Sequence, residues 1–116
     1  MKKRTMIIAG LMLVFAMGLL AQKTEDIFTF DISPNPMVKY CEITVGFENE
    51  TSINLVIMDS KEEVVKTIYT GPIYKSMTFT WERDDARGAY VPNGTYFVVV
   101  NYQSRYTSTK KTLILK

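Results

Sequence analysis

Short segments in which apolar and polar residues alternate recur along this chain, and they constrain its fold more than any other feature. Alternation with a period of two is typical of a β-strand that buries one face. Turn-forming and polar residues separate the segments, as expected for strands joined by short connections. The Gly71-Pro72 pair is expected to end the fourth segment. Seven such segments occur, at residues 27–32, 40–47, 52–59, 64–69, 75–81, 95–102 and 106–115.

No apolar repeat with the spacing of a helix follows residue 21. Many short strands at regular spacing predict an antiparallel sandwich or barrel, and seven strands favour an immunoglobulin-like β-sandwich. We therefore expect an all-β domain with Trp81, the single tryptophan, in its core. The other residues predicted to point inward are Phe28, Phe30, Ile32, Cys41, Ile43, Val45, Phe47, Ile53, Leu55, Ile57, Met77, Phe79, Tyr96, Val98, Val100, Tyr102, Leu113 and Leu115.

The start of the chain has the three parts of a secretory signal peptide. Residues 2–4 are basic, residues 6–21 are apolar, and Ala21 supplies a small residue at the cleavage point. The apolar run is shorter than the ~20 residues that a membrane-spanning helix needs, although an uncleaved anchor is the alternative. We predict a signal peptide at residues 1–21, one β-sandwich domain at residues 22–116, and a secreted, periplasmic or cell-surface location.

Charge and residue types exclude several classes of function. Three of the 14 basic residues lie in the predicted leader, which leaves 11 against 12 acidic residues and a net charge of about −1. A domain without a basic face is not expected to bind nucleic acid. The chain has no histidine, which excludes histidine-based catalysis and metal binding. The single cysteine, Cys41, is expected to be a small buried apolar residue, with an intermolecular disulfide as the alternative.

Glu82, Asp84 and Asp85 form the one cluster of acidic residues. Carboxylate oxygens suit Ca²⁺, but the spacing matches no calcium loop, and Arg83 and Arg87 can neutralise these acids in a solvated loop. A hydrolase needs two carboxyl groups whose environments separate their pKa values, which adjacent loop residues lack. No nucleophile motif or phosphate loop is present. We therefore predict no enzyme, no cofactor and no metal, and a small hydrolase using these acids is the alternative.

The stretch from Trp81 to Tyr96 combines the end of a strand, a charged loop and a tight turn. Gly94 lets the chain turn sharply into the next strand, so Tyr96 can bury its ring and donate its hydroxyl proton to a nearby backbone group, as a tyrosine corner does. Asp85 and Gly88 suit a turn inside the loop. The residues expected to specify the fold are Trp81, Asp85, Gly88, Val91, Pro92, Gly94 and Tyr96.

This motif resembles the signature of the immunoglobulin-like domain of flagellar hook-capping proteins. The Ser33–Pro36 opening and the Lys110–Lys116 ending are also similar to the related type IX secretion system C-terminal sorting domain. The resemblance implies an immunoglobulin-like sandwich over nearly the whole mature chain, in a family whose members are mostly appended to larger proteins. Two departures concern glycines: Glu82-Arg83 replaces the usual Asp-Gly after the tryptophan, and the turn at residues 60–63 has no glycine.

Some of the predicted strands carry apolar residues on both faces. If segments 52–59, 95–102 and 106–115 share one sheet, an apolar patch forms on its outer face, unless segment 64–69, a loop or the N-terminal lead covers it. The patch comprises Val56, Met58, Phe97, Val99 and Ile114. We expect an exported, non-enzymatic module for protein–protein interaction, assembly or adhesion at the cell envelope, binding a protein partner or itself. A type IX sorting or anchoring domain is the alternative.

Overall fold

Seven β-strands and their connections make up the part of the chain that the computed structural model describes, residues 28–102 and 107–116. The strands are β1 (Thr29–Ser33), β2 (Cys41–Gly46), β3 (Thr51–Met58), β4 (Val64–Ile73), β5 (Ser76–Trp81), β6 (Gly94–Tyr102) and β7 (Thr107–Leu115). Each corresponds to one predicted strand. The predicted signal peptide lies outside the described residues, and within them no helical segment has the length and hydropathy needed to traverse a bilayer.

The strands form two antiparallel sheets, one with the order β1-β2-β5 and one with the order β4-β3-β6-β7. The predicted all-β, two-layer architecture is confirmed. β3, β6 and β7 are neighbours in one sheet, as the hypothesis of an outer apolar patch requires. β4 pairs along the edge of β3 in that same sheet. A strand in the plane of a sheet does not lie over its face, so the alternative in which this segment covers the patch is excluded.

The core lies where the alternation predicted it. Trp81 is 1% exposed, and the inward residues of β2 and β3 are all buried. On β1 and β5, several inward residues are only half-buried, because an edge strand has a packed neighbour on one side only. Cys41 is fully buried, and this desolvation raises the pKa of its thiol to about 11. A thiol without exposed surface is not available for an intermolecular disulfide.

β4 is longer than predicted because it continues through Gly71 and Pro72. β4 lies at the edge of its sheet, where a proline removes no hydrogen bond to a second neighbouring strand. Gly71 has a φ of +148°, and a Cβ at this position would lie 3.0 Å from the Tyr69 hydroxyl. That hydroxyl donates a 2.6 Å hydrogen bond to the Pro72 carbonyl. The prediction that this pair ends the strand is therefore wrong, since a sheet edge accommodates both residues.

The proline-rich connection between β1 and β2 runs along the outer edge of β7. The Asn35 side chain donates to the Thr112 carbonyl and accepts a hydrogen bond from the Ile114 N–H. The backbone of Met37 adds one hydrogen bond to the Ile114 carbonyl and one from the Lys116 N–H, and its side chain is fully buried. The connection therefore closes one side of the sandwich and occupies the edge of β7 that would otherwise face solvent.

Candidate functional site

The loop between β5 and β6, residues 82–93, carries most of the predicted motif and folds as a hydrogen-bonded turn. Oδ1 of Asp85 accepts hydrogen bonds from the N–H groups of Arg87 and Ala89, each at 2.9 Å. Gly88 has a φ of +87° and donates its N–H to the Asp85 carbonyl. The two backbone hydrogen bonds favour the ionised carboxylate and lower the pKa of Asp85. These hydrogen bonds of Asp85 and Gly88 shape the backbone of the loop.

Two aromatic side chains of the core hold this loop in place. The ring of Tyr96 is buried, and it packs edge-on against the Trp81 indole with 6.5 Å between ring centroids. The Tyr96 hydroxyl donates a 2.8 Å hydrogen bond to the Pro92 carbonyl, and burial raises the pKa of the phenol. The Trp81 indole N–H donates to the Asp84 carbonyl at 2.8 Å. Each ring therefore fills the core while its polar atom holds one loop carbonyl.

Arg83 is the residue that sequence reasoning missed. We expected it to neutralise acidic neighbours in solvent, but it is 1% exposed. Its guanidinium donates hydrogen bonds to the backbone carbonyls of Val38, Val91 and Lys116 and to the side-chain oxygen of Asn93. These acceptors belong to three segments: the β1–β2 connection, the β5–β6 loop and the residue that follows β7. One side chain therefore ties three segments together at one end of the sandwich.

The backbone of Arg83 explains a departure from the family pattern. Its φ is +64°, in the left-handed region that glycine adopts without strain. The resemblance predicted glycine here, so the backbone geometry is retained although the residue differs. Glu62 shows a similar relation in the β3–β4 turn: its φ is +66°, and the resemblance predicted a glycine within residues 60–63 of this turn. The sequence signal was the departure from the family pattern, which marked Arg83 and the turn at residues 60–63 but did not reveal that the Arg83 side chain is buried and the Glu62 side chain exposed.

The acidic residues of the loop are held by different partners. The Asp84 carboxylate forms a 2.7 Å ion pair with Lys66 Nζ, the Asp85 carboxylate bonds backbone N–H groups, and Glu82 is exposed. Among the described residues, no group of three or more acidic or thiol side chains is arranged to hold a metal ion. This geometry gives no support to the calcium-site and hydrolase hypotheses for the cluster.

A groove of about 430 Å³ opens between this loop and the β3–β4 turn. Its apolar lining includes Val64 and Tyr90, which are 55% and 69% exposed. The charged residues Asp59, Asp85 and Arg87 also line it. The groove is shallow and mixed in charge, and its carboxylates already accept hydrogen bonds from turn backbone.

The five residues of the predicted patch lie on the outer face of the four-stranded sheet. The strand register places Met58 beside Phe97, Val56 beside Val99, and Ile114 beside Thr95. Val56 and Val99 are only 3% and 4% exposed, whereas Met58, Phe97 and Ile114 are half-buried. The structure therefore brings the patch together, but only part of its apolar surface reaches solvent.

Polar side chains border this patch. Lys110 is the cross-strand neighbour of Val99, and its Nζ lies 4.7 Å from the centre of the Phe97 ring. On the side of the patch away from the β5–β6 loop, the Asn101 side-chain amide donates a hydrogen bond to the Asn54 side-chain oxygen. The Asn54 amide in turn donates one to the Thr70 hydroxyl, and each bond is 3.0 Å long. A row of amides and a hydroxyl therefore crosses three strands next to the apolar residues. An apolar centre with a polar border is the usual anatomy of a protein-binding surface.

Solved structures with a similar fold include two proteins of Porphyromonas gingivalis. Dimeric latent PorU matches with a TM-score of 0.64 and 18% identity over 88% of this chain and 10% of PorU. PorZ, an essential surface component of the type IX secretion system, matches with a TM-score of 0.53 and 17% identity over 75% of this chain and 11% of PorZ. This chain thus spans about a tenth of either protein, and at such identities the likeness shows the fold alone.

The sequence comparison identifies the family. No curated protein sequence matches the chain. Truncated FlgD from Helicobacter pylori matches in structure with a TM-score of 0.49 and 17% identity over 81% of this chain and 74% of that one. The family model of the FlgD Ig-like domain matches residues 42–105, more than half of the sequence, and the match contains the whole stretch from Trp81 to Tyr96. The chain therefore belongs to the FlgD Ig-like domain family.

Proposed function

We propose that this chain is an exported, non-enzymatic binding module that docks a protein partner through the outer face of its four-stranded sheet. The observation that carries the proposal is the apolar row that crosses this face, in which Val64, Met58 and Phe97 lie side by side on β4, β3 and β6. Val64 is 55% exposed, and the other two are half-buried. Membership of an Ig-like family supports a binding role over a catalytic one.

The buried pair Val56 and Val99 gives this row a firm base. Both residues are β-branched, and the strand register places them next to the row on the same outer face, two residues along β3 and β6. A rigid apolar strip requires little ordering when a partner binds, and this lowers the entropic cost of association. The partner that fits is a larger envelope protein with a complementary apolar strip, or a second copy of this module. The predicted leader would place the docking event in the periplasm or at the cell surface.

A type IX sorting or anchoring role is the second candidate. The similarity of fold to PorZ, a surface component of that system, favours it. The two roles make different demands, because a sorting domain must direct an attached cargo. A reporter protein placed between the leader and residue 22 should reach the cell surface in a type IX host if the chain sorts. It should stay in the periplasm if the chain only binds.

The docking role is tested by replacing Met58 and Phe97 together with threonine. Threonine keeps the β-propensity of these positions and removes their apolar surface. The tagged exported chain is used to capture partners from its own envelope fraction, and light scattering gives its mass. We expect the variant to lose the captured partner or the self-association while its circular dichroism stays native. Val99 is left unchanged because, at 4% exposure, its replacement would alter stability as well.

The matched control is Tyr74→Thr, which removes an aromatic side chain that is 61% exposed in the β4–β5 connection, away from the apolar row. The control should bind as the unmodified chain does. Equal capture and equal mass for the Met58/Phe97 variant and the unmodified chain would refute the proposed surface.

A further inference from the structure

Each sheet of the sandwich has two edge strands, and three of the four edges are blunted. An open edge presents unpaired backbone groups to other strands, and natural proteins usually block it. On β7, Asn35 and Met37 bond the outer backbone. On β4, the Ala86 N–H bonds the Val65 carbonyl, and two register shifts interrupt the ladder. β1 has only five residues and carries Asp31 at its centre.

β5 lacks these devices. It has no charged residue, proline or glycine from Ser76 to Trp81, and its register with β2 is unbroken. The Phe47 N–H bonds the Lys75 carbonyl. By the alternation of an antiparallel ladder, the N–H and C=O groups of Thr78 and Thr80 then point away from β2. Both threonines are exposed, and no strand in the described part of the chain pairs with β5 on that side.

We propose that this open edge pairs antiparallel with β5 of a second copy of the chain, across a two-fold axis at Phe79. In this register Thr78 faces Thr80 of the second copy on both sides of the axis, which gives about four backbone hydrogen bonds. The two three-stranded sheets then become one continuous sheet. This pairing is separate from the apolar face proposed above, because it uses a different strand in the other sheet.

The composition of β5 favours a second copy as the occupant. A two-fold interface must be complementary to itself, and an uncharged strand meets this condition because no like charges face each other. Threonines already pair across this sheet, since the hydroxyls of Thr44 and Thr78 lie 2.9 Å apart. Thr80 of the second copy extends that row by one strand. On the inner side, the half-buried Phe79 ring meets its own counterpart, which removes apolar surface from water.

The dimer is expected to be weak. One pair of short strands buries less than the ~1,200 Å² at the lower end of standard protein interfaces. Self-association should therefore depend on concentration and matter where copies are crowded together.

The test uses the exported chain in the form that its host produces, studied from micromolar to millimolar concentration. Analytical ultracentrifugation should show a monomer–dimer equilibrium. Hydrogen exchange should show protection of the Thr78 and Thr80 amides that rises with concentration. Replacing Thr78 and Thr80 with lysine brings like charges together across the axis and should raise the dimer dissociation constant at least roughly tenfold.

Two controls separate this edge from other surfaces. Thr67→Lys places one lysine on the blunted edge strand β4, at an exposed position, and should leave the dimer unchanged. In the Met58/Phe97 threonine variant, protection of the Thr78 and Thr80 amides should still rise with concentration, because that protection reports on the β5 edge alone, so this inference and the docking surface succeed or fail separately. A monomer at all concentrations, or unprotected Thr78 and Thr80 amides in the dimer, would overturn the proposal. Protection that appears only when an extended peptide from another protein is added would overturn the second copy as occupant.

Discussion

Arg83 and Glu62 have nearly the same left-handed backbone, and replacing each with glycine should change stability in opposite directions. Their φ angles are +64° and +66°. Glycine removes the left-handed strain at both positions, so the two substitutions share this effect. They differ in what the side chain does, because Arg83 is 1% exposed whereas the Glu62 side chain is 71% exposed. Comparing the two variants therefore separates the effect of backbone strain from the free energy that the buried guanidinium contributes to stability.

For Arg83→Gly, the hydrogen bonds lost should outweigh the backbone strain relieved. The guanidinium makes four hydrogen bonds, three to backbone carbonyls and one to Asn93. A typical net value of about 1 kcal/mol each gives a loss of about 4 kcal/mol. Relief of left-handed strain gives about 1–2 kcal/mol, and the greater freedom of glycine in the unfolded chain offsets about 0.4–1 kcal/mol of it, which leaves about 1 kcal/mol. The net destabilisation of about 3 kcal/mol corresponds to a fall in Tm of roughly 10–25 °C for a domain of this size.

For Glu62→Gly, little is lost. The Glu62 carboxylate lies 3.8 Å from Lys110 Nζ at an exposed site, and exposed ion pairs contribute about 0–1 kcal/mol. The turn is held instead by the Asp59 carboxylate, which accepts hydrogen bonds from the N–H groups of Lys61 and Glu63. Strain relief of about 1–2 kcal/mol is partly offset by the greater freedom of glycine in the unfolded chain, about 0.4–1 kcal/mol. We expect a small stabilisation of about 0.5 kcal/mol.

Urea unfolding followed by Trp81 fluorescence measures both changes. Trp81 is the single tryptophan and is buried, so its emission shifts to longer wavelength when the core opens. Far-UV circular dichroism provides a second probe that does not depend on the surroundings of the indole. The fitted m-value should stay constant, because the surface exposed on unfolding is nearly the same in all three proteins.

The reasoning fails if Arg83→Gly is neutral or stabilising. That result would mean that burying the guanidinium costs as much free energy as its hydrogen bonds return. If Glu62→Gly instead destabilises by 1 kcal/mol or more, the assignment of strain to the left-handed φ is wrong. A third variant, Arg83→Lys, keeps the charge but loses the planar fork, and it should be destabilised because one ammonium cannot reach all four acceptors.

Three further predictions concern Tyr96, Asp85 and Cys41. Tyr96→Phe keeps the ring and removes the hydrogen bond to the Pro92 carbonyl, so calorimetry should show a loss of about 1–2 kcal/mol; an unchanged Tm would refute the proposed corner. The pKa of Asp85 is lower in the folded chain than in the unfolded chain, so its carboxylate stabilises the fold above the ordinary carboxyl pKa of about 4. This stability is lost as the pH falls through the pKa that Asp85 has in the folded chain. Asp85→Asn should therefore reduce the difference in urea midpoint between neutral and acidic pH. Cys41, buried and with a pKa of about 11, should react with a thiol reagent at pH 8 only after unfolding; rapid reaction of the native chain would contradict its burial.

Local patterns in the sequence predicted the strands, the inward residues and most of the loop. Alternation is a property of neighbouring residues, because successive side chains of a strand point to opposite faces wherever the strand lies. The burial of Trp81 and the hydrogen bond from Tyr96 to Pro92 follow from residues close together in the chain. The error at Gly71-Pro72 arose because their effect depends on whether the strand lies at an edge, which local patterns do not reveal.

The sequence by itself determined an all-β domain with a defined core and a motif that identifies its family. Only the tertiary structure decided where β4 pairs, how far Val56 and Val99 are covered, and that Arg83 is buried. Arg83 bonds carbonyls that lie 45 and 33 residues away along the chain, at Val38 and Lys116. A charged residue in a loop is normally solvated. It becomes a core residue only where distant segments bring enough acceptors together, and that arrangement exists only after the two sheets have packed.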